Sequence, residues 1–450
     1  MAVAQKLRIL TYVYTVFVES IGSHWILSVM PVIVSENFGT SREEEKSGAA
    51  SRYFIYFFVG LIIGSLAWPI VVRYIPKREC IILGLLFQAL TNYLVGTAPT
   101  FGYLCFWRFW FGFFHLVNTL GKDFLYEFAD HTQRQSIFIM RSIAVLISSF
   151  FGPLFGYLVY YGTGKSLASS LAVISLIYLS AVVFFAIVFY CSPFIAHAHD
   201  FSSEETQSLN VEEGAVHAEI NLVRHKQIGV WPMLKFIARK KELRNLVLGF
   251  WMVFSVYNTQ MLLSVFFIET PWHSQGLGLS DKEVSYLVVA VFLPIIMIFV
   301  ISNKLVPKRI TMFSLFQVVI FANMLFMLLV PAMRDLTTGL THHQRLLLIY
   351  VLVSLFLTFN PNLISPFLNL HMNNQVPRNG RTTFNSITFI GCSLCVITLF
   401  ATIIPLFSRT MFDPAWVQYS PYSKYVCFIV LDFVLGLGAY LLRKPAEVKT

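Results

Sequence analysis

Charge is scarce in this chain: Asp, Glu, Lys and Arg together make up 12% of its 450 residues. A soluble domain carries about twice that share, and with 56% hydrophobic and 16% aromatic residues the chain has no way to cover its apolar surface in water. Long polar stretches are equally rare. One is present, roughly from His197 to Arg244, with Ser-Ser-Glu-Glu at 202–205, Glu212-Glu213 and Arg239-Lys240-Lys241. Cysteine is sparse. Cys80, Cys105, Cys191, Cys392, Cys395 and Cys427 all fall in or beside apolar runs, which makes them buried hydrophobes rather than a disulfide framework. Cys392 and Cys395 lack histidine or acidic company, so no closed zinc site is expected, and His197-Ala198-His199-Asp200 reads as a solvated linker mouth. A Walker loop and a dinucleotide fingerprint are both missing, which argues against a primary pump or a redox enzyme. No enzyme activity, cofactor or metal is expected.

What is present is length without polarity. A window of about 20 residues finds twelve apolar segments, starting near residues 9, 52, 79, 101, 137, 167, 244, 282, 309, 346, 383 and 424. The expected fold is an all-α membrane protein of twelve transmembrane helices in two pseudo-symmetric six-helix bundles. The bundles cover 1–196 and 244–450, and residues 197–243 form a cytoplasmic linker. Within the linker, Val230 to Leu243 has apolar residues at helical spacing among many cations, which predicts an amphipathic helix on an anionic membrane surface. The first apolar run carries Glu19 and His24 and has no small-residue cleavage site, so it reads as a retained helix.

Two loops half a chain apart carry related text: Arg73-Tyr74-Ile75-Pro76-Lys77-Arg78 and Lys304-Leu305-Val306-Pro307-Lys308-Arg309. Such internal repetition is the mark of a duplicated carrier. The net charge of +10 is spread over many short loops, a pattern of orientation rather than of nucleic-acid binding. With both termini cytoplasmic, that side receives roughly 21 Lys and Arg against about 9 outside.

Three motifs carry a family resemblance. Arg108-Phe109-Trp110-Phe111-Gly112 in segment four resembles the Arg-x-x-x-Gly signature of the major facilitator superfamily. Gly152-Pro153-Leu154-Phe155-Gly156 in segment five resembles the Gly-Pro-x-x-Gly motif of its drug:proton antiporter branch. Trp68 through Arg78 stands where that superfamily has its Gly-x-x-x-Asp-Arg-x-Gly-Arg-Lys loop. The text from Met30-Pro31 through Glu43-Glu44, and Val376-Pro377-Arg378-Asn379-Gly380-Arg381, is most similar to the zinc-induced facilitator-like group. The resemblance implies secondary transport, with a small-molecule substrate, surrounding lipid and proton coupling as partners and a monomer as the working unit. It does not make zinc the cargo, because no cluster of carboxylates and imidazoles lines the expected cavity. One departure stands out. The loop's usual acid falls at Val72 or Arg73 and its glycine at Pro76, so the latching carboxylate is missing and the φ > 0 option is lost.

Ionisable groups at membrane depth are the candidates for mechanism. Glu19 lies roughly 15 Å from the inner end of segment one and Arg108 roughly 10 Å from the outer end of segment four. In a core about 30 Å thick the two can meet, so a Glu19–Arg108 pair is expected, acting either in proton and substrate linkage or as a packing salt bridge. His24 lies about 140° around the helix from Glu19 and falls on another face. Gly152, Pro153 and Gly156 are expected to kink against the other half and seal the cavity. Asn360-Pro361-Asn362, with Pro366, interrupts segment ten and is the expected substrate wall, with Asn258 and Gln260 as further polar positions. Asp432 in the last segment reads as packing. Phe106, Trp107, Phe109, Trp110 and Phe111 suit a hydrophobic solute. Two function classes remain open: a secondary carrier of a small organic solute, and a receptor or complex subunit that keeps the carrier fold.

Overall fold

The structure is a computed structural model that describes residues 2–26, 29–39, 43–117, 119–129, 131–190, 228–269, 276–280, 282–283, 312–358, 365–412 and 422–442. Every regular element among them is helical. The first apolar segment forms α1 (Ala2–His24) and breaks at Trp25, and α2 (Met30–Phe38) restarts with a proline in its first turn, where the missing N–H costs nothing. There follow α3 (Glu43–Val71), α4 (Lys77–Gly96), α5 (Phe101–Phe113), α6 (Gly121–Phe128), α7 (His131–Gly162) and α8 (Leu167–Tyr190). After the linker come α9 (Val230–Arg239), α10 (Lys241–Glu269), α11 (Met312–Leu336), α12 (His342–Thr358), α13 (Ser365–Asn374), α14 (Arg381–Phe412) and α15 (Val426–Leu441). The segment expected from about 282, the Pro307-Lys308-Arg309 loop and the Asn360-Pro361-Asn362 interruption lie outside the described residues. Among the described helices, six stretches are long and apolar enough to cross a bilayer, including Leu167–Tyr190 and Arg381–Met411.

Glycines set the closest helix contacts. A Cβ on Gly112 of α5 would stand 2.1 Å from the Phe57 carbonyl of α3. One on Gly60 would stand 1.9 Å from the Phe109 carbonyl, and one on Gly64 would stand 2.3 Å from that of Phe113. The α3–α5 seam therefore runs backbone on backbone, the approach that small residues permit in lipid. On the other side of the linker, a Cβ on Gly391 of α14 would meet the Trp251 ring of α10 at 2.1 Å, and Gly249 and Gly438 bring α10 against α15.

Gly152 and Gly156 of α7 pack on α1: a Cβ on Gly156 would stand 1.9 Å from the Trp25 carbonyl, and one on Gly152 would stand 2.9 Å from His24 Cβ. The expectation that this motif presses on the other half is corrected. Its small residues clear room for the break between α1 and α2, and Pro153 lies inside the continuous helix α7.

The two sides of the linker meet chiefly where α3 crosses α14, with Phe54 and Phe58 edge-on to Phe400, and where α6 and α7 approach α14 and α13. The amphipathic helix α9 ends at Arg239 rather than running on to Leu243, and it lies on protein. Its Met233 and Ile237 are buried, Gly380 packs on Met233, the Ile228 N–H donates to the Asn379 carbonyl and Thr383 Oγ1 donates to the Ile228 carbonyl. Trp231 stays 67% exposed. The text around Asn379 is thus the dock for the linker's end.

Candidate functional site

The fourth apolar segment is not one helix. α5 stops at Phe113, residues 114–117 and 119–120 leave the helical path, and α6 resumes at Gly121. A chain inside a membrane must satisfy every backbone group it frees, and here side chains from α1 and α4 do so. Glu19 Oε1 accepts the Val117 N–H at 2.9 Å and Gln88 Nε2 at 3.1 Å, while the same Gln88 nitrogen donates to the Phe114 carbonyl at 2.9 Å. His115 Nδ1 stands 3.6 Å from the Glu19 carboxylate. All three side chains are buried. Tyr178 of α8 donates to the Glu19 carbonyl and so ties down the same turn of α1.

Arg108 is also buried, but it does not meet Glu19. Its guanidinium donates to the carbonyls of Gly22 at 3.5 Å and Ser23 at 3.2 Å, and it lies 4.6–4.8 Å from the centroids of Tyr53, Phe57 and Phe111. The expected pair is corrected for a physical reason. The break after His24 exposes the carbonyls of the last turn of α1, the negative end of its dipole, and these attract the cation. The aromatic side chains shield it from lipid. Of the aromatic run, Phe111 joins this cage while Phe106 is 48% exposed. His24 faces its own helix, with Nδ1 2.7 Å from the Ser20 carbonyl.

A second cluster lies at the end of the molecule that carries the 72–76 loop, and its Lys122 and Asp123 were not singled out in the sequence, since they fall past the window of about 20 residues that starts near residue 101. Lys77 Nζ pairs with Asp123 Oδ2 at 2.7 Å, and Thr382 Oγ1 at the start of α14 donates to the same oxygen. An acid at a helix N-terminus is favoured by the dipole. The 72–76 loop has no latching carboxylate of its own, and Asp123 brings one to Lys77. Arg78 lies 4.1 Å from the Tyr190 ring and donates to the Phe189 carbonyl at the end of α8, while Arg73 is exposed and Pro76 opens α4.

One residue earlier, Lys122 is 3% exposed, with Nζ 3.0 Å from Asn369 Oδ1 of α13 and 4.7 Å from the Phe389 ring of α14. Arg141 of α7 is 6% exposed and its charge lies close to Tyr12 of α1. Residues from before and after the linker thus meet through polar groups that bilayer lipid could not satisfy.

The profile of the Major Facilitator Superfamily matches residues 12–398. The chain belongs to the Major Facilitator Superfamily. It is an integral, multi-pass membrane transporter of that superfamily and not an enzyme, and its two-bundle helical fold is the superfamily's. Among solved structures, the human organic anion transporter MFSD10 (TETRAN) is similar over 98% of this chain and 99% of that one, with a TM-score of 0.59 and 11% identity, a likeness of fold. Among curated proteins there is no match.

The remaining expected positions divide. Asn258 is half-buried and donates to the Phe254 carbonyl of its own helix. Gln260 is fully buried, and among the described residues neither of its amide atoms has a hydrogen-bond partner. Asp432 is buried in α15. The fourth-segment break was the signal the sequence withheld. Phe114 to Val117 contains neither glycine nor proline.

Proposed function

We propose that the chain is a secondary active transporter of a small organic solute, coupled to protons and working by alternating access, with both termini cytoplasmic. In this reading residues 1–196 and 244–450 are the moving units, joined by the linker 197–243. The motifs at Arg108–Gly112 and Gly152–Gly156 favour the drug:proton antiporter branch, and the flanking text favours the zinc-induced facilitator-like group. One observation carries the proposal: Asp123 is held at once by Lys77 of its own unit and Thr382 of the other. Polar contacts of this kind form and break at modest cost, unlike a dry apolar interface.

Glu19 supplies the coupling. As a carboxylate it accepts from Val117 and Gln88 and holds the fourth-segment break. Protonation weakens both bonds and loosens the stretch that leads directly into Lys122 and Asp123. Solute uptake into sealed vesicles holding the purified protein, with and without an imposed pH gradient, tests the proposal. The expected result is saturable uptake stimulated by the gradient, with the stimulation lost in Glu19→Gln while gradient-free exchange persists. Uptake no greater than in protein-free vesicles across a broad panel of anions, cations and neutral amphiphiles would overturn it.

A further inference from the structure

The buried amine of Lys122 points to a substrate class, an inference that rests on the transporter reading and narrows it. We propose that Lys122 recognises the anionic head of an organic solute whose apolar body packs beside Phe389.

A lysine ammonium has three donors. Here Asn369 Oδ1 takes one and the face of Phe389 lies 4.7 Å away, and among the described residues no carboxylate pairs with it. Two buried acids among the described residues, Asp123 and Glu19, are engaged elsewhere. Asp123 is bound by Lys77 and Thr382, and Glu19 accepts from Val117 and Gln88 with His115 beside it. A second cation, Arg141, lies within electrostatic range of Lys122. Buried like charges repel strongly in a low dielectric, and a cation at membrane depth is rare unless a partner compensates it. An anionic solute is the partner that such a field selects.

Depth and placement agree. Phe389 stands eight residues into α14, roughly 12 Å above its start, and Arg141 stands ten residues into α7, roughly 15 Å above its start. Each helix has 32 residues, about 48 Å of rise, so these groups lie inside the helical bundle on the side of the 72–76 loop. Lys122 comes from before the linker, and Asn369 and Phe389 come from after it, so a solute on Lys122 touches both units. The flexible lysine stem lets the amine exchange the neutral Asn369 oxygen for a charged one, which forms the stronger hydrogen bond. The phenyl ring beside it favours an aromatic or alkyl body over a small hydrophilic anion.

The test uses the full chain in lipid nanodiscs, titrated calorimetrically with 1-naphthoate and octanoate and with two matched controls, 1-naphthalenemethanol and 1-naphthylmethylammonium. The anions are expected to bind and the controls to bind at least about tenfold more weakly. Lys122→Gln, which keeps a hydrogen bond to Asn369, is expected to weaken naphthoate binding about tenfold to a hundredfold, and Lys122→Arg is expected to preserve it. The wild-type comparison of anion against alcohol and ammonium decides the matter even where a variant fails to fold. Equal binding of all four probes, no binding of either anion, or an unchanged affinity in Lys122→Gln would each overturn the proposal. Uptake of radiolabelled 1-naphthoate into proteoliposomes separates the two readings. Anion binding that depends on Lys122 without flux of any solute sinks transport and leaves the site standing. Flux of neutral or cationic solutes with no anion preference sinks the site and leaves transport standing.

Discussion

A carboxylate inside a bilayer costs several kcal/mol unless donors meet it, and among the described residues Glu19 meets one from the backbone of a broken helix and one from Gln88. Removing the acceptor leaves the Val117 N–H and the Gln88 amide buried without it, at about 1–3 kcal/mol for each group left unsatisfied. Glu19→Ala is therefore expected to lower the melting temperature of the detergent-purified protein clearly, and Glu19→Gln, which keeps an oxygen in place, much less. Equal melting of the two variants would show that the bond to Val117 contributes nothing. That Glu19 and Arg108 need buried partners was legible in the sequence, since each is an ionisable residue within an apolar run. Their partners were not. Depth along two helices places both residues in one slab of membrane, but which acceptor Arg108 finds depends on the end of α1, and that end is set by tertiary contacts.

Among the elements, those with breaks carry the chemistry. The α1–α2 break could be read in part from Met30-Pro31, because proline sits in the first turn of α2. The α5–α6 break could not, because Phe114, His115, Leu116 and Val117 continue an apolar helical pattern. Side chains from α1 and α4 stabilise it instead. The consequence reached the site itself: a window of about 20 residues from residue 101 stops short of Lys122 and Asp123, and neither was singled out. The glycine motifs were legible as close-packing signals, and the structure supplies the surfaces. Gly112 and Gly102 occupy the same helix, yet a Cβ at Gly102 meets nothing within 4 Å while one at Gly112 would stand 2.1 Å from the Phe57 carbonyl. Gly112→Ala is expected to give aggregated protein with a reduced yield on size-exclusion chromatography, and Gly102→Ala to behave as wild type. Matching profiles for the two variants would contradict the backbone-on-backbone packing of α3 and α5.

At the scale of the whole molecule, composition and the duplicated Pro-Lys-Arg loops were enough for a membrane carrier fold, because apolar length and internal repetition are properties of the chain itself. The contacts between the two sides of the linker were out of reach, since Asp123 and Thr382 are 259 positions apart. The basic loop after α3, read as lacking its acid, gains one from α6, where Asp123 pairs with Lys77. We propose that this polar seam opens and closes as the two units move. Double electron–electron resonance in nanodiscs, with spin labels at the exposed Tyr74 and Asn374 positions on a background cleared of native cysteines, tests it most directly. The predicted result is a two-component distance distribution in which Asp123→Asn enlarges the longer component. A single distribution that Asp123→Asn leaves unchanged would contradict it.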